Sequence, residues 1–163
     1  MRLAPLLSGA IAQRQVLATG RGLAIVSVLD EAIEVHGDED LITRVIENIL
    51  DNALRHAPTG GSVEVRCEAG GSGAMIQIGN SGPAIPVEQR ALVFEKFRQA
   101  SPALGRMNLG LGLYFCRLAI EAQGGAIWIE ETERLPAVVA IRLPRVAMSA
   151  EGRVAADAVV SRS

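Results

Sequence analysis

The segment GDEDLITRVIENILDNALRHAP, residues 37–58, constrains the fold more than any other part of the chain. Its apolar side chains Leu41, Ile42, Val45, Ile46, Ile49 and Ala53 recur at spacings of three and four, the period of a helix with one buried face. Acids at Asp38, Glu39 and Asp40 sit where a helix dipole favours them, and Pro58, Gly60 and Gly61 stop the run. A helix over 38–56 with so wide an apolar stripe must cover something. The flanking sequence supplies the strands.

LAIVSVL, 23–29, is a compact apolar strand, and 31–35 continues or neighbours it. In SVEVRCE, 62–68, Val63, Val65 and Cys67 alternate with Glu64, Arg66 and Glu68, a period of two with one wet face. AMIQIG, 74–79, repeats the alternation through Ile76 and Ile78, and AGGSG, 69–73, is the flexible connection between the two. AIWIEE and AVVAIRLP close the domain as a second hairpin. Residues 3–18 read as a short amphipathic helix entered through Pro5, and 87–97 as a short helical piece. The breaker-rich stretch 98–108 is expected to be mobile. A helix over 110–123 would bury Leu111, Tyr114, Phe115, Leu118 and Ala122 on one face. Helices punctuate clustered hairpins, which predicts an α+β fold: a two-layer α/β sandwich with a mixed sheet of about five strands covered on one face by about three helices. The domain would span 1–144, and the small, weakly patterned residues 145–163 would be a flexible linker or tail.

Composition narrows the class. A chain of 163 residues with 49% apolar and 21% charged residues is one globular domain with a real core. Aromatics are 3%, so that core must be aliphatic. A net charge of −2 provides no basic field for nucleic acid. Cys67 and Cys116 lack metal-ligand spacing and read as core cysteines of a reducing, cytosolic setting. There is no apolar run of about 18 residues and no signal-peptide pattern over 1–12, so no direct membrane contact is expected.

Two patterns carry chemistry. Asn48, Asn52 and His56 fall at i, i+4 and i+8 of the 38–56 helix, with Arg55 beside them. This line is either an ordinary solvated face or a row of carboxamide oxygens for a hard cation, with Arg55 reaching phosphate oxygens. The loop IGNSGPAIP, 78–86, bends through Gly82, Pro83 and Pro86 after an apolar strand, as a backbone loop wrapped round a nucleotide would. Gly110, Leu111, Gly112 and Leu113 open a helix whose free N–H groups could take phosphate, or form a tight turn and nothing more. His36 and His56 share no context with a carboxylate or serine, and no catalytic triad is present.

Taken in order, ENILDNALRHAP (47–58), GNSGPAIP (79–86), FEKF (94–97) and GLGLYFCRLAIEAQGG (110–125) resemble the catalytic ATP-binding domain of bacterial sensor histidine kinases, the Bergerat-fold group shared with gyrase, Hsp90 and MutL. The resemblance covers roughly residues 3–144. It implies ATP and Mg2+ as ligands, with Asn52 on the metal, Asn48 one turn earlier as its companion and Arg55 on phosphate. Asn48 and Arg55 are the residues it makes catalytic. His56 matches a Tyr or His position near the nucleotide. The loop from Asn80 through Gly82, Ala84 and Ile85 matches the adenine box, and Phe94 and Phe97 the aromatics that anchor an ATP lid. Arg98 and Arg106 would contact phosphate from that lid, and Gly110, Leu111, Gly112 and Leu113 match the last glycine box.

Four positions, in three places, depart from the family. Asn80 replaces the adenine-reading aspartate, Ala84 replaces a glycine, and Asn108 and Leu109 stand where Gly-Thr or Gly-Ser is usual. Asn80 keeps a carbonyl acceptor, loses the charge and gains a donor suited to guanine O6. The resemblance therefore implies a phosphotransferase moving the γ-phosphoryl of ATP to a histidine on a separate phosphoacceptor domain, with a response regulator receiver domain downstream. The alternatives are a degenerate pseudokinase that senses a nucleotide or docks a partner, and a serine kinase of the anti-sigma type. The isolated domain, without dimerising helices, is expected to be a monomer.

Overall fold

The computed structural model describes residues 1–96 and 112–146. Helix α1 spans Leu3–Gly20, strand β1 Ala24–Leu29, helix α2 Glu39–His56, β2 Ser62–Gly70 and β3 Gly73–Asn80. Single 3-10 turns follow at Val87–Gln89 and Leu92–Phe94, then α3 Gly112–Ala122, β4 Ala126–Glu130 and β5 Ala137–Pro144. The five strands form one sheet in the order β1-β2-β3-β5-β4. β1 and β2 run parallel, joined by a crossover through α2, and every other pair is antiparallel. The expected α+β sandwich is the observed fold.

Local chemistry explains where α2 begins. Asp38 caps it by accepting from the Leu41 N–H at 3.0 Å, Glu39 and Asp40 occupy its first turn, and Arg55 and His56 its last. Its stripe Ile42, Val45, Ile46, Ile49, Leu50, Ala53 and Leu54 is buried against the inner face of the sheet, where Val63, Val65, Ile76, Ile78, Val139 and Ile141 lie. Each of the large aliphatic side chains in that layer contributes about 1.5–3 kcal/mol of burial. Cys67 and Cys116 belong to this core as free thiols. Burial pushes them up to about 11 and about 12 respectively, so they stay protonated.

Some elements differ from expectation. The 87–97 piece is two short 3-10 turns. Residues 31–35 make only isolated bridges, Arg2 with Glu34 and Val35 with Arg145. Arg145 and Val146, assigned to the tail, are thereby attached to the body, Val146 through its N–H to Glu34 O at 3.2 Å. Helix α3 buries Cys116, Ala119 and Ile120, while Leu118 is 48% exposed and Ala122 is exposed. The expected face was rotated because Tyr114 and Leu118 are apolar without being core. Gly124, with φ +73°, ends this helix in the left-handed region, and Gly125 N–H returns to Ile120 O at 3.0 Å.

The outer face of the sheet is polar, with Arg66 and Arg134 both paired to Glu64 at 3.3 and 2.9 Å. The β4–β5 connection folds over this face at one place. A Cβ on Gly79 would lie 2.9 Å from the Leu135 side chain and 2.9 Å from Ala137 O, so the connection seals the end of β3 from outside.

Candidate functional site

Helix α2 is the spine of the site. Asn48, Asn52 and His56 follow one line along it, spanning roughly 12 Å at 1.5 Å per residue. At the Asn48 end the amide Nδ2 donates to Arg44 O at 2.9 Å. That bond turns Oδ1 outward, 3.6 Å from where a Cβ on Gly112 would stand at the start of α3. The Arg44 guanidinium lies 5.0 Å from the centroid of the Phe115 ring and ties the two helices together beside Asn48. An acceptor oxygen thus faces the Gly112 end of α3, and a carboxamide oxygen is a ligand suited to a hard cation. Asn52 is half-buried and Arg55 exposed one turn further on.

The other end is the turn after β3. Asn80 is 6% exposed and is the one buried polar or charged side chain among the described residues. Its Oδ1 accepts from the Gly82 N–H at 2.8 Å, closing an Asx turn. Because the partner is an N–H, the carboxamide has only one orientation: oxygen inward, nitrogen outward. Among the described residues no side-chain nitrogen or oxygen sealed from solvent lacks a partner, so the Asn80 Nδ2, which makes no bond among them, reaches the surface. Gly82 is pressed against the end of α2, where an added Cβ would sit 2.5 Å from His56 O and 2.6 Å from Asn80 Oδ1. The turn is also held from the sides. Ser81 Oγ accepts from the Ser62 N–H at 2.9 Å, and Arg90 Nε donates to Ile85 O at 3.0 Å.

The two carboxamides are therefore set with opposite polarity. Asn48 presents an acceptor midway along α2 and Asn80 a donor beyond its carboxyl end. Between them stands His56, half-buried. Burial first, and the Arg55 charge second, hold its imidazole below the ordinary value of 6.5. As pH falls through 6.5 the unfolded chain takes up this proton before the folded one does, so stability falls with pH in the window below 6.5. His56→Gln is expected to flatten the stability–pH curve in that window. Chemical denaturation at a series of pH values measures it, and an unchanged slope would show that another group is responsible.

The remaining predicted residues divide cleanly. Phe94 is 4% exposed in the core beside α3, Leu113 and Ile85 are half-buried, and Ala84 is exposed. Phe97, Arg98, Arg106, Leu109, Gly110 and Leu111 lie outside the described residues. Among the described residues no three His, Cys, Asp or Glu side chains gather to hold a metal, and no helix is long and apolar enough to cross a membrane.

One contributor escaped the sequence reading. Arg21, in the α1–β1 connection, donates Nη1 to Leu54 O and Nη2 to Ala57 O at 2.9 Å. It caps the carboxyl end of α2, the turn that carries Arg55 and His56. Nothing local to Arg21 signals a bond to a residue 33 positions away.

The family profile described as histidine kinase-, DNA gyrase B- and HSP90-like ATPase matches residues 37–147. The signal transduction histidine-protein kinase/phosphatase MprB of Mycobacterium tuberculosis strain H37Rv is 37% identical over 101 residues, covering 61% of this chain and 20% of the relative. The chain thus spans about a fifth of that protein's length. Among solved structures, the catalytic domain of histidine kinase ThkA superposes with a TM-score of 0.79 at 25% identity, covering 89% of this chain and 93% of that one. A mycobacterial sensor histidine kinase MprB structure superposes with a TM-score of 0.76 at 27% identity, covering 91% and 97%.

Proposed function

Since the chain belongs to the histidine kinase-, DNA gyrase B- and HSP90-like ATPase family and is a sensor histidine kinase catalytic domain, we propose that it binds Mg-ATP along α2 and serves transfer of the γ-phosphoryl group to a histidine on a separate phosphoacceptor domain. The observation that carries the reading is the opposed pair of carboxamides on one rigid axis. Asn48 Oδ1 faces the Gly112 end of α3, and the Asn80 turn lies at the far end, pressed through Gly82 against His56 O. A triphosphate belongs at the first end, where N–H donors offset its charge, with the long Arg55 side chain reaching towards it from the last turn of α2. A base belongs at the second.

The donor set suits magnesium, since carboxamide oxygens are hard ligands. Asn52, with Asn48 one turn away, would hold the ion together with phosphate oxygens. A metal held by these residues would supply charge neutralisation on the phosphates. The work of the chain's own groups is positional: Asn48 and Arg55 align the phosphates, and the Asn80 turn fixes the base. His36 is exposed and His56 half-buried, and neither has the sequence context of the acceptor, which resides on the partner domain. A receiver domain of a response regulator then takes the phosphoryl group, and the cytosol is the compartment that supplies the ATP. The nucleotide-sensing and docking-module alternative has no observation in its favour.

Calorimetric titration of the chain with Mg-ATP is expected to give saturable heat at submillimolar nucleotide. No heat at millimolar Mg-ATP would overturn the binding claim. Incubation with γ-labelled ATP and a histidine-bearing dimerisation domain tests the transfer itself, by acid-labile label on that domain.

A further inference from the structure

We propose that β1 is an association edge for a second copy of this chain, the two β1 strands pairing antiparallel about a two-fold axis at Ser27. β1 is the outermost strand of the sheet and pairs with β2. The Ala24 N–H bonds Gly61 O and the Asp30 N–H bonds Cys67 O, so Val26 and Val28 between them also turn their backbone groups towards β2. Ile25, Ser27 and Leu29 therefore aim their N–H and C=O groups out of the sheet, and among the described residues no backbone bond reaches those N–H groups. Edges that stay single are blunted by charge, proline or a bulge. The unbroken register of β1, with the sequence AIVSVL, has none of these, whereas β4 at the opposite edge carries Glu130.

Exposed apolar surface gathers at the same place. Of the six large apolar side chains exposed among the described residues, Val16, Leu17, Val26 and Val28 belong to α1 and β1. Val26 and Val28 are 49% and 50% exposed and stand in register with Glu64 and Arg66, where they interrupt the polar outer face. An edge both open and apolar is a template for another strand.

The symmetry of the strand selects a second copy as that partner. About Ser27, Val26 matches Val28 and Ile25 matches Leu29. Antiparallel pairing centred there sets Ser27 against its own copy and Ile25 against Leu29 of the second copy, which uses the open N–H and C=O groups. Val26 then meets Val28 of the second copy in the closer, non-hydrogen-bonded pairs, twice by symmetry. A shift of one residue would oppose an open residue to one already bonded to β2. A shift of two would carry Ile25 or Leu29 past the end of the facing strand. None of these residues belongs to the nucleotide site, so the inference is independent of that reading. The monomer expected of the isolated domain gives way to a weak dimer.

Sedimentation equilibrium of the full chain tests this, with an expected dissociation constant on the order of 100 µM, since one strand pair is a small interface. Val26→Lys with Val28→Lys opposes like charges across the axis and is expected to weaken association at least about tenfold. Val26→Lys with Val28→Glu opposes unlike charges and is expected to associate at least about tenfold more tightly than the first pair. Thermal denaturation verifies folding. Hydrogen exchange at the Ile25, Ser27 and Leu29 amides is expected to slow as the concentration of the unaltered chain rises, and it decides the matter should either variant not fold. A chain still monomeric at about 1 mM, or folded variants that associate equally, overturns the inference. So does protection of those amides that is independent of concentration, which would assign the edge to residues 147–163 of the same chain.

Discussion

Asn52→Ala is expected to weaken Mg-ATP binding by roughly ten- to a hundredfold, the equivalent of one lost hydrogen bond or contact to a charged group. The same change replaces a mediocre helix former by the best one on a half-buried face of α2. Thermal stability should therefore hold or rise slightly. That combination separates ligand contact from structural support, because a structural residue would lose both together. The contrast with magnesium-free nucleotide sharpens it: with EDTA present, the variant and the parent chain should bind ATP almost equally. Equal affinity in the presence of magnesium would place the cation elsewhere.

Gly82→Ala is expected to do the reverse and damage stability and binding at once. The new methyl carbon would lie 2.5 Å from the carbonyl oxygen of His56, a backbone atom that cannot rotate away, and 2.6 Å from Asn80 Oδ1. Relief requires the turn to lift off the end of α2, and overpacking of this kind costs about 1–3 kcal/mol. Lifting the turn also breaks the Asn80–Gly82 bond that orients the carboxamide. ATP affinity should fall by at least about tenfold and the denaturation midpoint should drop by several degrees. Ala84→Ser, two residues on and exposed, should do neither. A Gly82→Ala variant with unaltered midpoint and affinity would mean that the turn is not clamped between helix and strand.

How much of this was readable beforehand depends on the range of the interactions. The bounds of α2 were legible because Asp38 and Pro58 act on their immediate neighbours, and the sheet faces were legible from the alternation in β2 and β3. The face of α3 was not. Leu118 and Ile120 look alike on an apolarity scale, and only the crossing of α3 against α2 decides that the second is core. The Asn80 turn was half legible. An Asn two residues before a Gly favours an Asx turn, yet the outward aim of its nitrogen follows from the Gly82 bond, and the press of Gly82 on His56 joins residues 26 apart in sequence. Arg21 was invisible for the same reason.

The Arg21 bond also bears on where this domain can be cut. The part that matches the family profile starts at residue 37, yet the guanidinium that quiets the carbonyl pole of α2 comes from residue 21, and Leu3, Leu7 and Leu23 fill the same interior as α2. Recombining this unit with another scaffold at the homology border would sever a helix from its own counterion. The module that can be transplanted is longer than the module that is recognised.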